Sequence, residues 1–200
     1  MKRFIYLISP NKIDEKFYLT LKKVLACKRV GYFQLRLKKY KKNKILKIGK
    51  RIKTITNKYK VKLIINDNPS IAKKMRAAGC HIGQSDTSFH KTKKILKRKI
   101  IGLTCHGSIN LVNQAIRYKV SYIAIGSFFK SKLKPNAKKA KMKLIKETRK
   151  KTKIPIVVIG GITNKNYKKL IGLGANYIAI SSYIWNNPIL EPELAVRKFI

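Results

Sequence analysis

The stretch LIINDNPSIAKKMRAAGCHIGQSD, residues 63–86, contains one complete strand–helix–strand unit. An apolar run ends in Asn66-Asp67, a short helical segment begins near Pro69 and is closed by Gly79, and a second brief strand leads to Asp86. Proline suits the first turn of a helix, where its missing N–H is not needed. The chain has only seven acidic residues against 49 lysines and arginines, and two of the seven follow these two strands. Two rare carboxylates at neighbouring strand ends predict a cation site.

Short apolar runs alternate with longer helix-type runs along the rest of the chain. Continuous apolar strands are typical of parallel sheets that are buried on both faces. Eight strand–helix units predict an α/β fold, a single-domain (β/α)8 TIM barrel over residues 1–200, with a doubly wound open sheet as the alternative. The predicted strands are residues 4–8, 32–36, 62–66, 80–83, 100–104, 122–126, 156–160 and 177–181. The predicted helices are residues 14–28, 44–59, 70–78, 90–98, 111–119, 138–151, 164–173 and 191–200.

The composition excludes several classes of protein. Nothing approaches the run of about 18 apolar residues that a membrane-spanning helix needs. The first apolar run, 4–8, is shorter than the roughly 7–15 residues of a signal-peptide core, so we expect a cytoplasmic location. Three widely spaced cysteines predict neither a disulfide framework nor a zinc site.

The formal net charge of +42 has two interpretations. It could serve binding to nucleic acid, to an anionic membrane or to a phosphorylated ligand. It could also reflect lysines spread over solvated helix faces, which we favour because basic residues recur in almost every predicted helix. The densest run, KKYKKNK (38–44), has one aromatic residue and no nucleic-acid module around it. We therefore expect small-molecule substrates and neither a membrane nor a nucleic-acid partner, and the sequence leaves a homo-oligomer open.

Functional residues of a (β/α)8 barrel lie in the loops that follow the strands. Carboxylates, cations, hydroxyls and a glycine pair occupy those positions here, and such a set suits Mg²⁺ together with a phosphate or pyrophosphate. The residues are Gln34, Arg36, Lys38, Asn66, Asp67, Asp86, Thr104, His106, Ser131, Lys134, Gly160, Gly161, Ser181 and Ser182.

These strand-end segments resemble the thiamine-phosphate synthase family over nearly the full chain. QLRLK is similar to the family's QxRxK motif, and the strand with Asn66-Asp67 and the segment with Asp86 resemble its metal-binding strands. The matching segments are QLRLK (34–38), LIINDNPSIA (63–72), GCHIGQSD (79–86), IIGLTCH (100–106), AIGSFFKSKLK (124–134), IPIVVIGGIT (154–163) and GANYIAISS (174–182).

The resemblance implies a transferase that couples 4-amino-2-methyl-5-hydroxymethylpyrimidine diphosphate with a thiazole phosphate, giving thiamine phosphate and pyrophosphate. Asp67 and Asp86 would hold Mg²⁺ as metal ligands, and Arg36, Lys38 and Lys134 would be the catalytic cations. The substrate-binding set would be Gln34, Arg36, Lys38, Asn66, Thr104, Ser131, Leu133, Lys134, Gly160, Gly161, Ser181 and Ser182.

One segment departs from the family pattern. The loop that ends in TxTK in the family reads Ser131-Lys132-Leu133-Lys134, so a leucine replaces the second threonine. Leu133 cannot donate a hydrogen bond from its side chain, which would weaken the binding of the thiazole phosphate or change the preferred substrate. Thr104, where the family usually has serine, keeps the hydroxyl.

Structural roles and other functions remain open for some of these residues. Asp67 could form a turn or cap the third helix, and Asp86 could cap the fourth. A thiazole tautomerase or an inactive paralogue is the near alternative function, because related tautomerases use a histidine in the region of His106. A basic nucleic-acid-binding protein is the distant alternative.

Overall fold

The computed structural model describes residues 3–130 and 139–200, and it shows a closed barrel of eight parallel strands in sequence order. The predicted (β/α)8 barrel is confirmed, and the open-sheet alternative is wrong because β1 pairs with β8. The strands are β1 Ile5–Ile8, β2 Val30–Leu35, β3 Lys62–Asn66, β4 Gly79–Ile82, β5 Ile100–His106, β6 Tyr122–Gly126, β7 Ile156–Ile159 and β8 Tyr177–Ile180.

The helices of the described residues follow the strands and surround the barrel. They are α1 Glu15–Ala26, α2 Lys42–Lys58, α3 Pro69–Lys74, α4 Phe89–Leu96, α5 Ile109–Arg117, α6 Lys143–Lys151, α7 Tyr167–Gly172, α8 Ser182–Trp185 and α9 Pro192–Arg197. The short α8 is absent from the sequence-based prediction. Within the described ranges, no helix combines the length and the apolar character that crossing a membrane requires.

Two apolar layers hold the barrel together. The larger layer lies between the strands and the helices, and the smaller one fills the barrel interior. Three buried tyrosines, Tyr6, Tyr32 and Tyr122, lie in the interior layer and stack or cross at centroid distances of 5.5 to 5.9 Å. Gly102 of β5 makes room for them, since a Cβ there would lie 1.9 Å from Cζ of Tyr122. The interior is therefore packed with aromatic side chains that carry hydroxyl groups.

Candidate active site

Asp67 occupies a tight turn directly after β3. Its φ is +60°, its backbone N–H donates to the carbonyl of His81 at 2.8 Å, and the N–H of Asn68 donates back to the carbonyl of Asn66 at 2.8 Å. Aspartate is one of the few side chains that adopt positive φ with modest strain. The cap of α3 is Asn68, whose Oδ1 accepts from the N–H of Ile71 at 2.9 Å. The helix-cap role considered for Asp67 is therefore wrong, because Asn68 caps α3.

Asp86 lies in the loop after β4 and points back toward that strand. Its Oδ2 accepts from the N–H of Gly83 at 2.7 Å, while Ser88 caps α4. The cap role considered for Asp86 is therefore also wrong. A Cβ on Gly83 would lie 2.9 Å from the same Oδ2, so the glycine allows the carboxylate to sit close to the backbone.

The structure brings the two carboxyl groups and one lysine together. Burial raises the pKa of Asp67, and the carboxyl group of Asp86, within hydrogen-bond reach, raises it further. The ammonium of Lys38 lies 3.4 Å from Asp67 Oδ2 and opposes this rise. Two carboxylates that repel each other at a partly buried site provide a favourable place for a divalent cation.

The carboxyl pair fits Mg²⁺ better than a metal that needs a full set of protein ligands. No group of three or more His, Cys, Asp or Glu side chains suited to a metal occurs in residues 3–130 and 139–200. Mg²⁺ in enzymes commonly takes one or two carboxylates and completes its octahedron with water and substrate phosphate oxygens. The two aspartates therefore match the donor set that a Mg²⁺–diphosphate complex uses.

The end of β2 supplies a second group of predicted residues. Gln34 is only 3% exposed, and its Nε2 donates to Oδ1 of Asn66 at 2.9 Å across to β3. The backbone N–H of Arg36 donates to Oγ of Ser9 at 3.0 Å, which fixes the end of β2 against the loop after β1. Gln34 therefore orients Asn66, while Arg36 and the 56% exposed Lys38 side chain remain at the strand end.

His81 on β4 connects this region to β5. Its Nε2 lies 2.8 Å from Oγ1 of Thr104, and its Nδ1 lies 2.9 Å from the hydroxyl of Tyr122. Burial lowers the pKa of His81 to about 4; Asp86 opposes the shift and Arg36 adds to it. Both ring nitrogens of His81 are therefore satisfied by side chains inside the protein.

The glycine pair after β7 closes against the loop that follows β6. Gly160 and Gly161 have φ of +107° and +59°, conformations that side chains rarely adopt. A Cβ on Gly161 would lie 2.3 Å from the carbonyl oxygen of Lys130, and the N–H of Phe129 donates to the carbonyl of Gly160 at 3.0 Å. The pair thus lets two strand-end loops pack tightly together.

The ends of β8 and β5 hold three of the remaining predicted residues. Ser181 Oγ donates to the carbonyl of Ser9 at 3.3 Å, and Ser182 begins α8. His106 is exposed at the end of β5 with φ of +48°. Three predicted residues, Ser131, Leu133 and Lys134, lie outside the described residues.

Two carboxylates, two cations and a glycine pair follow the barrel strands, an arrangement typical of a (β/α)8 enzyme. Comparison with known proteins shows to which family of such enzymes the protein belongs. The profile of a family described as "Thiamine monophosphate synthase" matches residues 5–184. The chain belongs to this thiamine monophosphate synthase family.

Individual relatives agree with the family assignment. A thiamine-phosphate synthase of Pelagibacter ubique is 52% identical over 198 residues, covering 98% of this chain and 96% of the relative. One from Erythrobacter litoralis is 34% identical over 200 residues, covering 98% and 92%. The structure of a thiamine phosphate pyrophosphorylase from Pyrococcus furiosus superimposes with a TM-score of 0.87 at 22% identity, covering 98% and 93%, which supports the fold. The predicted family, fold and enzyme class, a transferase of thiamine phosphate synthesis, are confirmed.

Proposed function

We propose that this protein is a Mg²⁺-dependent thiamine-phosphate synthase that couples the pyrimidine diphosphate to a thiazole phosphate and releases pyrophosphate at the site described above. The observation that carries the proposal is the closeness of Asp67 and Asp86, which follow two neighbouring strands and of which Asp86 raises the pKa of Asp67, with Lys38 beside Asp67. Relatives that cover nearly the whole chain carry the name of this activity.

Asp67 and Asp86 would hold the magnesium ion, whose chemistry is to neutralise negative charge on the diphosphate as that group leaves. Both carboxylates lie at loops fixed by backbone hydrogen bonds, Asp67 through its own N–H and Asp86 through Gly83. Such preorganisation holds ligands in place before substrate arrives, so little reorganisation is needed during the reaction.

Arg36, Lys38 and Lys134 bind the diphosphate oxygens in this proposal. The guanidinium of Arg36 offers a planar pair of donors, while the two lysines act as compact charges. Lys38 pairs with Asp67 and would exchange that partner for substrate oxygens once the carboxylate holds a cation. These charges stabilise the leaving pyrophosphate more strongly than the bound diphosphate ester, which lowers the barrier to bond cleavage.

The pyrimidine and the thiazole take different parts of the strand-end face. Asn66, positioned by Gln34, hydrogen-bonds the pyrimidine or its diphosphate, with Thr104 and Ser131 as hydroxyl donors. The thiazole phosphate lies against four residues after β7 and β8, where barrels often bind phosphate. These four are Gly160, Gly161, Ser181 and Ser182.

The chemistry requires no general base. Loss of pyrophosphate leaves a pyrimidine-stabilised cation, and the thiazole nitrogen that captures it carries no proton. This agrees with the state of His81, whose two ring nitrogens are already engaged with neighbouring side chains.

The deciding experiment incubates the purified protein with Mg²⁺, the pyrimidine diphosphate and the thiazole phosphate, and measures thiamine phosphate and pyrophosphate together. We expect both products in equal amounts, and loss of both when EDTA removes the metal. Absence of product at high enzyme concentration would overturn the proposal. A parallel assay of thiazole isomerisation in the wild type and in His106→Asn identifies the tautomerase alternative, which predicts isomerisation that depends on His106 and no coupling.

A further inference from the structure

A continuous chain of hydrogen bonds runs through the barrel interior from β1 to β5. The hydroxyl oxygens of Tyr6 and Tyr122 are 2.8 Å apart, Tyr122 reaches His81 Nδ1 at 2.9 Å, and His81 Nε2 reaches Thr104 Oγ1 at 2.8 Å. Tyr6 and Tyr122 are 2% and 1% exposed, whereas Thr104 is partly exposed. The chain therefore has one end sealed in the interior and one end at the strand-end face.

The buried position of Tyr6 determines the direction in which hydrogen bonds are donated along this series of side chains. Among residues 3–130 and 139–200, Tyr122 is the hydrogen-bond partner of the Tyr6 hydroxyl, and apolar side chains such as Ile64 and Val157 share its surroundings. If Tyr6 only accepted, its own hydrogen would be a buried donor without an acceptor, which is strongly unfavourable. Tyr6 therefore donates to the oxygen of Tyr122.

Each later bond in the chain follows from the first. Tyr122 already receives a hydrogen from Tyr6, so its own hydrogen goes to Nδ1 of His81. Nδ1 is then the bare acceptor, and the single ring proton of His81 lies on Nε2. Nε2–H donates to Oγ1 of Thr104, and the hydrogen of Thr104 remains free to donate to another group. An imidazolium would break this order, because Nδ1–H would compete with Tyr6 for the Tyr122 oxygen and leave the Tyr122 hydrogen unpaired.

We propose that the chain from Tyr6 through Tyr122 and His81 fixes Thr104 as a hydrogen-bond donor to a phosphate oxygen of the substrate. A diphosphate in its ionised form only accepts hydrogen bonds, so a hydroxyl beside it has to donate. The inference deepens the proposed function, on which the substrate contact of Thr104 depends. Bonds that point in one direction also polarise one another, so Thr104 is a stronger donor than an isolated hydroxyl. Tyr6, Tyr122 and His81 are positioning residues, and Thr104 is the one that contacts substrate.

The position of the ring proton tests the direction without any turnover. ¹⁵N NMR of the histidine rings distinguishes the two tautomers, and the exposed rings of His90 and His106 serve as internal references. We expect the Nε2–H tautomer of His81 in the wild type and in Tyr6→Phe, where Tyr122 becomes the sealed end and still has to donate. We expect Tyr122→Phe to keep this tautomer as well, because an Nδ1–H would then be a donor without an acceptor, but to lose the hydrogen bond that holds the ring in place beside Thr104. An Nδ1–H tautomer in the wild type would overturn the inference.

The effect on ligand binding is measured with pyrophosphate in the presence of Mg²⁺, so it does not require coupling activity. Tyr122→Phe should weaken pyrophosphate binding about two- to tenfold, the loss expected for one ordinary hydrogen bond. The matched control is Tyr32→Phe, which removes a hydroxyl from the same aromatic cluster at a residue that stacks on Tyr6. The control should leave both the tautomer and the affinity unchanged.

A double-mutant cycle separates positioning from general damage to the core. Thr104→Val removes the hydroxyl at nearly constant shape, and in that background Tyr122→Phe should have no further effect on pyrophosphate affinity. Additive losses from the two substitutions would overturn the inference, since they would show that Tyr122 acts independently of Thr104. If the wild type binds pyrophosphate with the expected tautomer and pattern of losses but makes no thiamine phosphate, the proposed function fails while the hydrogen-bond chain stands.

Discussion

Asp67 combines three features that cost stability in the unliganded protein. Its φ is +60°, its carboxyl group is partly buried, and it lies against a second carboxyl group, that of Asp86. Burial and the neighbouring carboxyl both raise the pKa of Asp67, so the folded protein disfavours the charged form of this side chain. Such local conflicts concentrate at functional sites, where a ligand relieves them.

Replacing Asp67 by asparagine should separate function from stability. We expect the coupling activity of Asp67→Asn to fall at least about 100-fold, because an amide is a poor Mg²⁺ ligand, and the melting temperature to stay the same or rise, because the carboxyl–carboxyl repulsion disappears. The matched control is Glu147→Gln, which neutralises an exposed carboxylate on α6 and should leave activity intact. Full activity in Asp67→Asn would remove this residue from the metal site.

The protonation of His81 gives a second prediction at this scale. Burial lowers its pKa from 6.5 to about 4, so the unfolded chain takes up a proton below pH 6.5 that the folded protein resists. This contribution to stability is complete above pH 6.5 and is lost as the pH falls toward 4, on the order of 3 kcal/mol in total. Asp67 acts in the opposite direction through its raised pKa, so NMR titration of the ring itself is the appropriate measurement. A midpoint near 6.5 for His81 would contradict the burial.

The sequence indicates the charged residues at the strand ends much more clearly than the buried hydrogen bonds among Tyr6, Tyr122 and His81. Asp67, Asp86 and Arg36 stand out in the sequence because each is a residue type that is uncommon in this lysine-rich chain and lies at a strand end. Tyr6 and Tyr122 lie inside the apolar runs IYLI and YIAIG, where a tyrosine is indistinguishable from any other core residue. Their link to His81 depends on three strands meeting across the barrel, which no local pattern encodes.

At the scale of the element, β5 has a glycine where the aromatic side chains of the barrel interior need space. Gly102 faces Tyr122 of β6 so closely that any side chain at this position would overlap the ring. Thr104 lies two residues further along the same strand, so the position of the Tyr122 hydroxyl and that of Thr104 both depend on how β5 and β6 pack.

Gly102→Ala tests this packing. The added methyl group should displace the Tyr122 ring and lower the free energy of unfolding by about 1–3 kcal/mol, the usual cost of overpacking a core. Chemical denaturation measures the loss, and Gly172→Ala on α7 is the control, because a Cβ there meets no atom within 4 Å. An alanine at position 102 that leaves stability unchanged would show that the ring is free to move.

Element boundaries that depend on tertiary contacts were the least predictable part of the fold. The prediction begins the seventh helix at residue 164, whereas α7 begins at Tyr167 because Asn166 Oδ1 accepts from the N–H of Thr163 and forms a turn there. The prediction omits α8, whose Trp185 donates from Nε1 to the carbonyl of Ile8 at 2.6 Å. Its four residues are too few to show a helical period, so the contact with β1 has no local signal.

The whole molecule carries far more positive charge than its ion pairs neutralise. The formal net charge is +42, and the described residues form four salt bridges, most of them at exposed side chains. Lysines lie in the last turns of most helices, where they favour the helix dipole, and along the solvated faces. This distribution agrees with the interpretation of the lysines as residues on solvated helix faces. It also implies that the positive charges on the folded protein repel one another.

Repulsion among the positive side chains predicts that added salt stabilises the folded protein. The compact state concentrates like charges that the unfolded chain spreads apart, and the Debye length shrinks from about 30 Å at 0.01 M salt to about 10 Å at 0.1 M. Raising NaCl from 10 to 500 mM should therefore raise the melting temperature by about 3 °C or more, equivalent to roughly 1 kcal/mol for a chain of this size. Sodium chloride is preferred to phosphate, which would bind the active site, and KCl provides the control for a specific ion. A melting temperature that falls with either salt would show that attractive pairs, such as Arg51 with Glu15, outweigh the repulsion among the lysines.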